Sequence, residues 1–131
     1  MQQEDFYLRQ IQKIGTLIAA MMNKRKEGFA QKSVNLSAII FKEIVPNAQF
    51  EPQFSVDEKE LEKLSEETLF LLQKAAYETG KSYHDLGDTQ NASDYFQVSL
   101  QVCTFAERKS KTYNYEREEM RQNAAKNIEN K

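Results

Sequence analysis

Residues 74–103 read KAAYETGKSYHDLGDTQNASDYFQVSLQVC, and they constrain the architecture more than any other part of the chain. Apolar side chains recur at helical spacing on both sides of Leu86-Gly87-Asp88, which predicts two helices joined by a tight turn. Gly87 can adopt the positive φ that ends a helix. Two helices that pack closely need small residues where their backbones approach and larger residues beside them. The small residues are Gly80 and Ala92, and the aromatic ones are Tyr83 and Phe96.

These positions, together with Ser99, resemble the tetratricopeptide repeat, a helix–turn–helix unit of about 34 residues. The stretch departs from the repeat at two places. Thr104 stands where a proline commonly ends the unit, and Ala76 holds the tryptophan-like position, with Tyr77 one residue further on. The resemblance implies an all-α fold in which antiparallel helical hairpins stack into a right-handed array, here of about five to six helices.

Proteins of this family usually bind an extended peptide or a helix on the concave face that the first helix of each hairpin forms. The resemblance implies that this face holds residues along one side of a single helix, namely Lys74, Tyr77, Lys81, His84 and Asp85. Two ammonium groups, a phenol and an imidazole would suit an acidic peptide or a C-terminal carboxylate. The alternative is that the five side chains form an ordinary solvated stripe.

Upstream, residues 4–45 predict a first hairpin. Apolar residues recur at spacings of three and four over residues 4–26, and a run of cations followed by Gly28 ends that helix. A second apolar helix runs from about 30 to 45 and stops before Pro46, which cannot continue a helix.

This first hairpin is a candidate degenerate copy of the later one. Gly28 and Ser33 repeat the five-residue offset between Gly87 and Ala92, although the first helix lacks the small and aromatic signature. The start of the chain, with Lys26-Glu-Gly-Phe, is also similar to a family of short bacterial tetratricopeptide-like proteins of unknown function. That resemblance covers most of the chain and implies no activity.

The remaining segments complete a single domain over residues 1–131. Two prolines within residues 46–55 predict a linker, with Phe50 and Phe54 packed against the body. Ser55-Val-Asp-Glu58 predicts a capping box before a short acidic helix at about 56–64, and Ser65 predicts the cap of the next helix. The predicted segments are a first hairpin (4–45), a linker (46–55), a second, tetratricopeptide-like hairpin (56–108), and a covering helix with a tail (109–131).

Charge and hydropathy exclude two classes of partner. The net charge is −2, with 18 Lys and Arg against 20 Asp and Glu, whereas a general nucleic-acid-binding protein shows a basic surplus. No apolar run approaches the roughly 20 residues that span a bilayer, and the start lacks the basic-then-apolar order of a signal peptide. We therefore expect no nucleic-acid or membrane partner and a cytoplasmic location.

Residues that carry catalysis or bind metals are sparse. Cys103 is the single cysteine and His84 the single histidine, too few for the usual zinc ligand set or for an intramolecular disulfide. Cys103 lies among apolar residues, so we expect it to be buried. A row of carboxylates on one helix face has no base or nucleophile beside it in the sequence, and it comprises Glu58, Glu62, Glu66 and Glu67. The sequence predicts no enzyme, no catalytic residue, no metal and no cofactor.

The leading prediction is a non-enzymatic interaction module that binds a protein or peptide partner. The alternative is a homodimer whose assembly is the function. The apolar stripe of helix 4–26 is wider than a small bundle needs, and two copies would lengthen a short array. The residues expected in that dimer patch are Phe6, Leu17, Met21 and Met22.

Overall fold

A computed structural model describes residues 2–46, 56–110 and 114–129, and these residues form six α-helices and no strand. The helices are α1 (Gln2–Lys26), α2 (Ala30–Ile44), α3 (Glu58–Glu62), α4 (Glu66–Asp85), α5 (Thr89–Ser110) and α6 (Tyr115–Glu129). The predicted all-α fold is confirmed. Within the described ranges, no helix is both long and apolar enough to cross a membrane.

The helices pack as two hairpins and a covering helix. The first hairpin joins α1 to α2, and the second joins α4 to α5. Both α1 and α2 contact α4, both α4 and α5 contact α6, and the short α3 rests on α5. Helix α4 therefore has neighbours on four sides and occupies the centre of the molecule.

The helix boundaries agree with the sequence to within a few residues, and one cap differs. Ser65 caps α4 as predicted, with its Oγ accepting a hydrogen bond from the backbone N–H of Thr68 at 3.1 Å. Helix α3 begins at Glu58 rather than at 56, because Asp57 is its N-cap and accepts from the N–H of Lys59 at 3.0 Å. Most of the predicted linker, with Phe50, Phe54 and the expected cap Ser55, lies outside the described residues.

Both hairpin turns use a glycine in the left-handed region. Gly28 has a φ of 90° and Gly87 a φ of 78°, values that side chains with a Cβ rarely adopt. Five residues after each glycine comes a small buried residue, Ser33 or Ala92. The Ser33 Oγ lies 2.8 Å from the Ser82 Oγ of α4, so the shared offset places a small side chain where the next helix packs.

One main core runs through both hairpins. Its fully buried residues come from α1, α2, α4 and α5, and they include Ile14, Ile18, Met21, Ile40, Leu69, Leu72, Val98 and Val102. A second cluster lies beneath α6 and comprises Tyr77, Ala92, Phe96, Met120 and Ala124. The thin apolar stripe of the charged C-terminal segment is thus enough to hold α6 on the second hairpin.

In the second hairpin, Gly80 of α4 lies directly against the Phe96 ring of α5. A Cβ atom added there would lie 2.8 Å from Cδ1 and Cε1 of the Phe96 ring, well inside van der Waals contact. The same ring meets that of Tyr77 at a centroid distance of 5.9 Å. Gly80 therefore makes room for the aromatic residue that the sequence pairs with it.

We predict opposite effects for two glycine-to-alanine changes. Gly80→Ala should destabilise the protein by about 1–2 kcal/mol, because displacement of the Phe96 ring outweighs the gain in helix propensity. Gly15→Ala should stabilise it by about 0.5–1 kcal/mol, since nothing lies within 4 Å of the added Cβ. Urea unfolding with unchanged m values measures both changes. Equal or greater stability of the Gly80 variant would show that Phe96 does not need this space.

Candidate functional site

The structure brings four of the five predicted face residues together and separates the fifth. Tyr77, Lys81, His84 and Asp85 line one cavity of about 190 Å³, which we call the inner cavity. Lys74 does not line this cavity. Its Nζ forms an ion pair with Glu116 Oε1 of α6 at 3.1 Å. Helix α6 therefore covers the part of the predicted face that lies nearest the start of α4.

Tyr77 lies in the wall of the inner cavity rather than on an open face. It is 8% exposed and packs with Phe96 beneath α6. Burial raises the pKa of Tyr77, an effect partly opposed by a side-chain hydrogen bond with Asn123. The Lys81 Nζ lies 5.1 Å from the centre of the Tyr77 ring, a cation–π contact that holds the ammonium at the cavity.

Arg25, near the end of α1, organises the charges around this cavity. Its Nη2 lies 3.2 Å from Glu78 Oε2, and its Nη1 lies 3.8 Å from Asp85 Oδ2. Glu78 is buried and also has the Lys81 Nζ at 3.9 Å, so the two cations share its carboxylate. The Arg25 Nε is buried and has no hydrogen-bond partner among the residues that the structure describes. The arginine thus ties α1 to α4 and keeps one donor unused.

A second cavity adjoins the first at the hairpin turns. This turn cavity measures about 460 Å³ and shares Arg25 and Asp85 with the inner cavity. Its apolar wall includes Phe29 and Leu86, both exposed although they are large hydrophobic residues. The Lys32 Nζ lies 4.6 Å from the centre of the Phe29 ring. The turn cavity therefore offers an apolar surface bordered by cations.

We call the two cavities together the turn-end surface. Their ionisable lining residues are Arg25, Lys32, Lys81, His84 and Asp85. Within the described part of the chain, neither Lys32 nor His84 forms an ion pair. The surface is cationic in a protein whose net charge is −2, so it would attract a negatively charged group.

The sequence did not indicate Arg25, Phe29, Lys32 or Leu86 as site residues. The cations before Gly28 were accounted for by the helix dipole, which favours positive charge at the end of any helix. The proximity of Arg25 to Asp85 depends on the stacking of two hairpins that are distant in sequence. An exposed aromatic after a turn glycine, Phe29, was the one local signal available.

The other chemistry-bearing residue, Cys103, is fully buried in α5. Its Sγ–H donates to Glu107 Oε1 at 3.4 Å. Burial, followed by the negative charge of Glu107, raises the pKa of the Cys103 thiol to about 12. Over residues 2–46, 56–110 and 114–129, no three His, Cys, Asp or Glu side chains converge as metal ligands.

Comparisons with models of known protein families, with curated proteins and with solved structures found no match. The tetratricopeptide resemblance and the right-handed stacking therefore stay predictions.

We predict that Cys103 reacts very slowly in the native protein. Because the thiolate is the nucleophile, a pKa of about 12 should make alkylation by iodoacetamide at pH 8 at least about 1000-fold slower than in the urea-unfolded chain. The native rate should keep rising between pH 7 and 10, since the raised pKa lies above that range. A plateau near pH 9 in the native protein would contradict the burial of the thiol.

Proposed function

We propose that this protein is a non-enzymatic interaction module that binds an acidic peptide segment on the turn-end surface. The observation that carries the proposal is the position of Arg25, which lines both cavities and has cations on either side. The proposal agrees with the peptide-binding role that the tetratricopeptide resemblance implies. It moves the binding surface from the open side of α4 to the end where the two turns meet.

The chemistry of the two cavities defines the partner. Glu78 already partly neutralises the charge of Arg25. Carboxylates of the peptide would therefore bind nearer to Lys81 and His84. An apolar peptide side chain would occupy the turn cavity between Phe29 and Leu86. The preferred segment therefore combines Asp or Glu with a Leu, Met or aromatic residue next to it.

We predict that labelled peptides of this type bind the full-length chain in fluorescence anisotropy. The double variant Lys32→Gln/Lys81→Gln should weaken the Kd by about tenfold or more, because each ammonium contributes about 1 kcal/mol to charge-assisted contacts. Affinity should also fall as salt is raised. Arg25 is unsuitable for substitution, since its loss would leave Glu78 buried without its closest cation.

The matched control removes a cation of the same kind elsewhere. Lys42 is exposed on α2 and does not line the turn-end surface, so Lys42→Gln should leave the Kd within about twofold of the native value. Peptides with Lys in place of the acidic residues should not bind. Equal weakening by both lysine variants, or no binding by any acidic–apolar peptide, would rule out a site on this surface.

A homodimer is the second candidate, and burial within the monomer reduces the number of α1 residues that could form its interface. Met21 is fully buried, and Leu17 and Met22 pack against the main core. These three residues of the expected patch therefore make apolar contacts within the monomer. Phe6 and Leu8 remain, at 70% and 54% exposure near the start of α1. These two side chains are the specific observation that favours self-association through α1.

We predict that any dimer dissociates when Phe6 is replaced by serine. Light scattering over a hundredfold range of concentration gives the molar mass, and Phe29→Ser serves as the control because Phe29 is exposed at the opposite end of α1. A shift toward monomer confined to the Phe6 variant would support dimerisation through α1. A constant monomer mass in the native protein would exclude it and leave peptide binding unaffected.

A further inference from the structure

A separate cleft of about 330 Å³ lies at the opposite end of α4. The start of α4, the start of α6 and one turn of α1 form its walls. Helix α4 has 20 residues and is therefore about 30 Å long, which separates this cleft from the turn-end surface. A ligand bound in the cleft would not touch the proposed peptide site, so the two can be tested independently.

A buried arginine, Arg117, lines the cleft. It is 2% exposed, and its Nε and Nη1 have no hydrogen-bond partner within the part of the chain that the structure describes. Among the described residues, no carboxylate forms an ion pair with its guanidinium. A guanidinium keeps its charge at every accessible pH, and an unpaired buried charge is strongly destabilising. A carboxylate in the cleft would supply a counter-charge, and its two oxygens match one edge of the guanidinium, where Nη2 lies beside either Nε or Nη1.

The start of α6 adds to the attraction for an anion. The backbone N–H of Arg117 is capped by Asn114 Oδ1 at 3.0 Å, which fixes the first turn of the helix against the cleft. Helix N-termini carry partial positive charge, so a carboxylate beside Arg117 would also interact favourably with the α6 dipole.

The rim of the cleft has the opposite charge. Glu66 and Glu67, in the first turn of α4, line the cleft and are exposed. They would repel a simple anion such as phosphate and would attract an ammonium group. Between the rim and Arg117 the wall is apolar, formed by Ile11, Phe70 and Leu71. The cleft thus presents a cationic group, an anionic rim and an apolar wall to one ligand.

We propose that this cleft binds a free apolar α-amino acid of the leucine, methionine or phenylalanine type. The ligand carboxylate binds the Arg117 guanidinium, its ammonium binds Glu66 or Glu67, and its side chain packs on Ile11, Phe70 and Leu71. The volume of about 330 Å³ corresponds to roughly ten water molecules at about 30 Å³ each, which is sufficient for a ligand of this size.

The first test compares ligands on the full-length chain by isothermal titration calorimetry. L-Leucine and L-phenylalanine should bind, whereas leucinamide, which lacks the carboxylate, and N-acetyl-L-leucine, which lacks the ammonium, should each bind at least tenfold more weakly. Equal binding of N-acetyl-L-leucine or of a peptide that ends in leucine would overturn the proposal in favour of a peptide C-terminus. Equal binding of leucinamide, or no binding at millimolar concentration, would also overturn it.

The second test separates the site from its structural background. Arg117→Met keeps most of the side-chain volume and removes the unpaired charge, so the ligand-free variant should melt at a higher temperature than the native chain while leucine binding is lost. Leucine should raise the melting temperature of the native chain alone. Arg108→Met removes an exposed arginine that pairs with Glu58, and it should retain binding. Leucine binding by the Arg117 variant at native affinity would refute the assignment.

The rim is tested by Glu66→Gln/Glu67→Gln. This change leaves Arg117 and the apolar wall intact, so it should weaken leucine binding by about fivefold or more and leave the weak binding of N-acetyl-L-leucine unchanged. Equal weakening of both ligands would show that the glutamates do not contact the ammonium, which contradicts the zwitterion assignment.

Discussion

The position of Phe96 against Gly80 is the constraint on which the rest of the structure depends. No side chain at position 80 leaves the ring where it is, since even a Cβ atom would lie 2.8 Å from it. This contact sets the distance between α4 and α5, and α4 in turn supports α1, α2 and α6. The neighbouring positions of α4 follow the same requirement, because Ala75 and Ala76 are fully buried where other helices pack. A central helix with four neighbours needs small residues on more than one side.

The burial of α4 also decides where polar groups can lie. Two buried hydroxyl groups of α4 donate hydrogen bonds to the backbone of the same helix. Thr79 Oγ1 donates to Ala75 O at 2.6 Å, and Ser82 Oγ donates to Glu78 O at 3.0 Å. Among the described residues, the buried donors without a hydrogen-bond partner belong to Arg25, near the end of α4, and to Arg117, near its start. Gln73 Oε1, within α4, is a buried acceptor that likewise has no partner among the described residues.

The local parts of this structure could be predicted from the sequence, and the parts set by long-range packing could not. The turn at Gly87 and the pairing of Gly80 with Phe96 depend on residues within one hairpin, so their spacing was sufficient. Helix α6 covers Lys74 and Tyr77. The position at which α6 packs on the second hairpin cannot be predicted from the residue spacing within α4. The wide stripe of α1 predicted a dimer. Part of that stripe packs against α2 and α4 within one chain, and the pattern alone does not distinguish these contacts from a dimer interface.

Arg117 shows the same limit most clearly, since a highly charged C-terminal segment gives no sign that one of its arginines is buried. Arg25 of α1 and Arg117 of α6 lie near opposite ends of α4, and their surroundings differ in a way that distinguishes the two proposed ligands. Arg25 already has Glu78 at 3.2 Å, so its site needs no further anion for stability and suits a partner that binds and leaves a surface. No carboxylate of the described residues forms an ion pair with Arg117, so a ligand carboxylate in the cleft would add a counter-charge that these residues do not supply. A folded protein tolerates such a local conflict where it serves binding, because the ligand then contributes stability that the chain alone lacks.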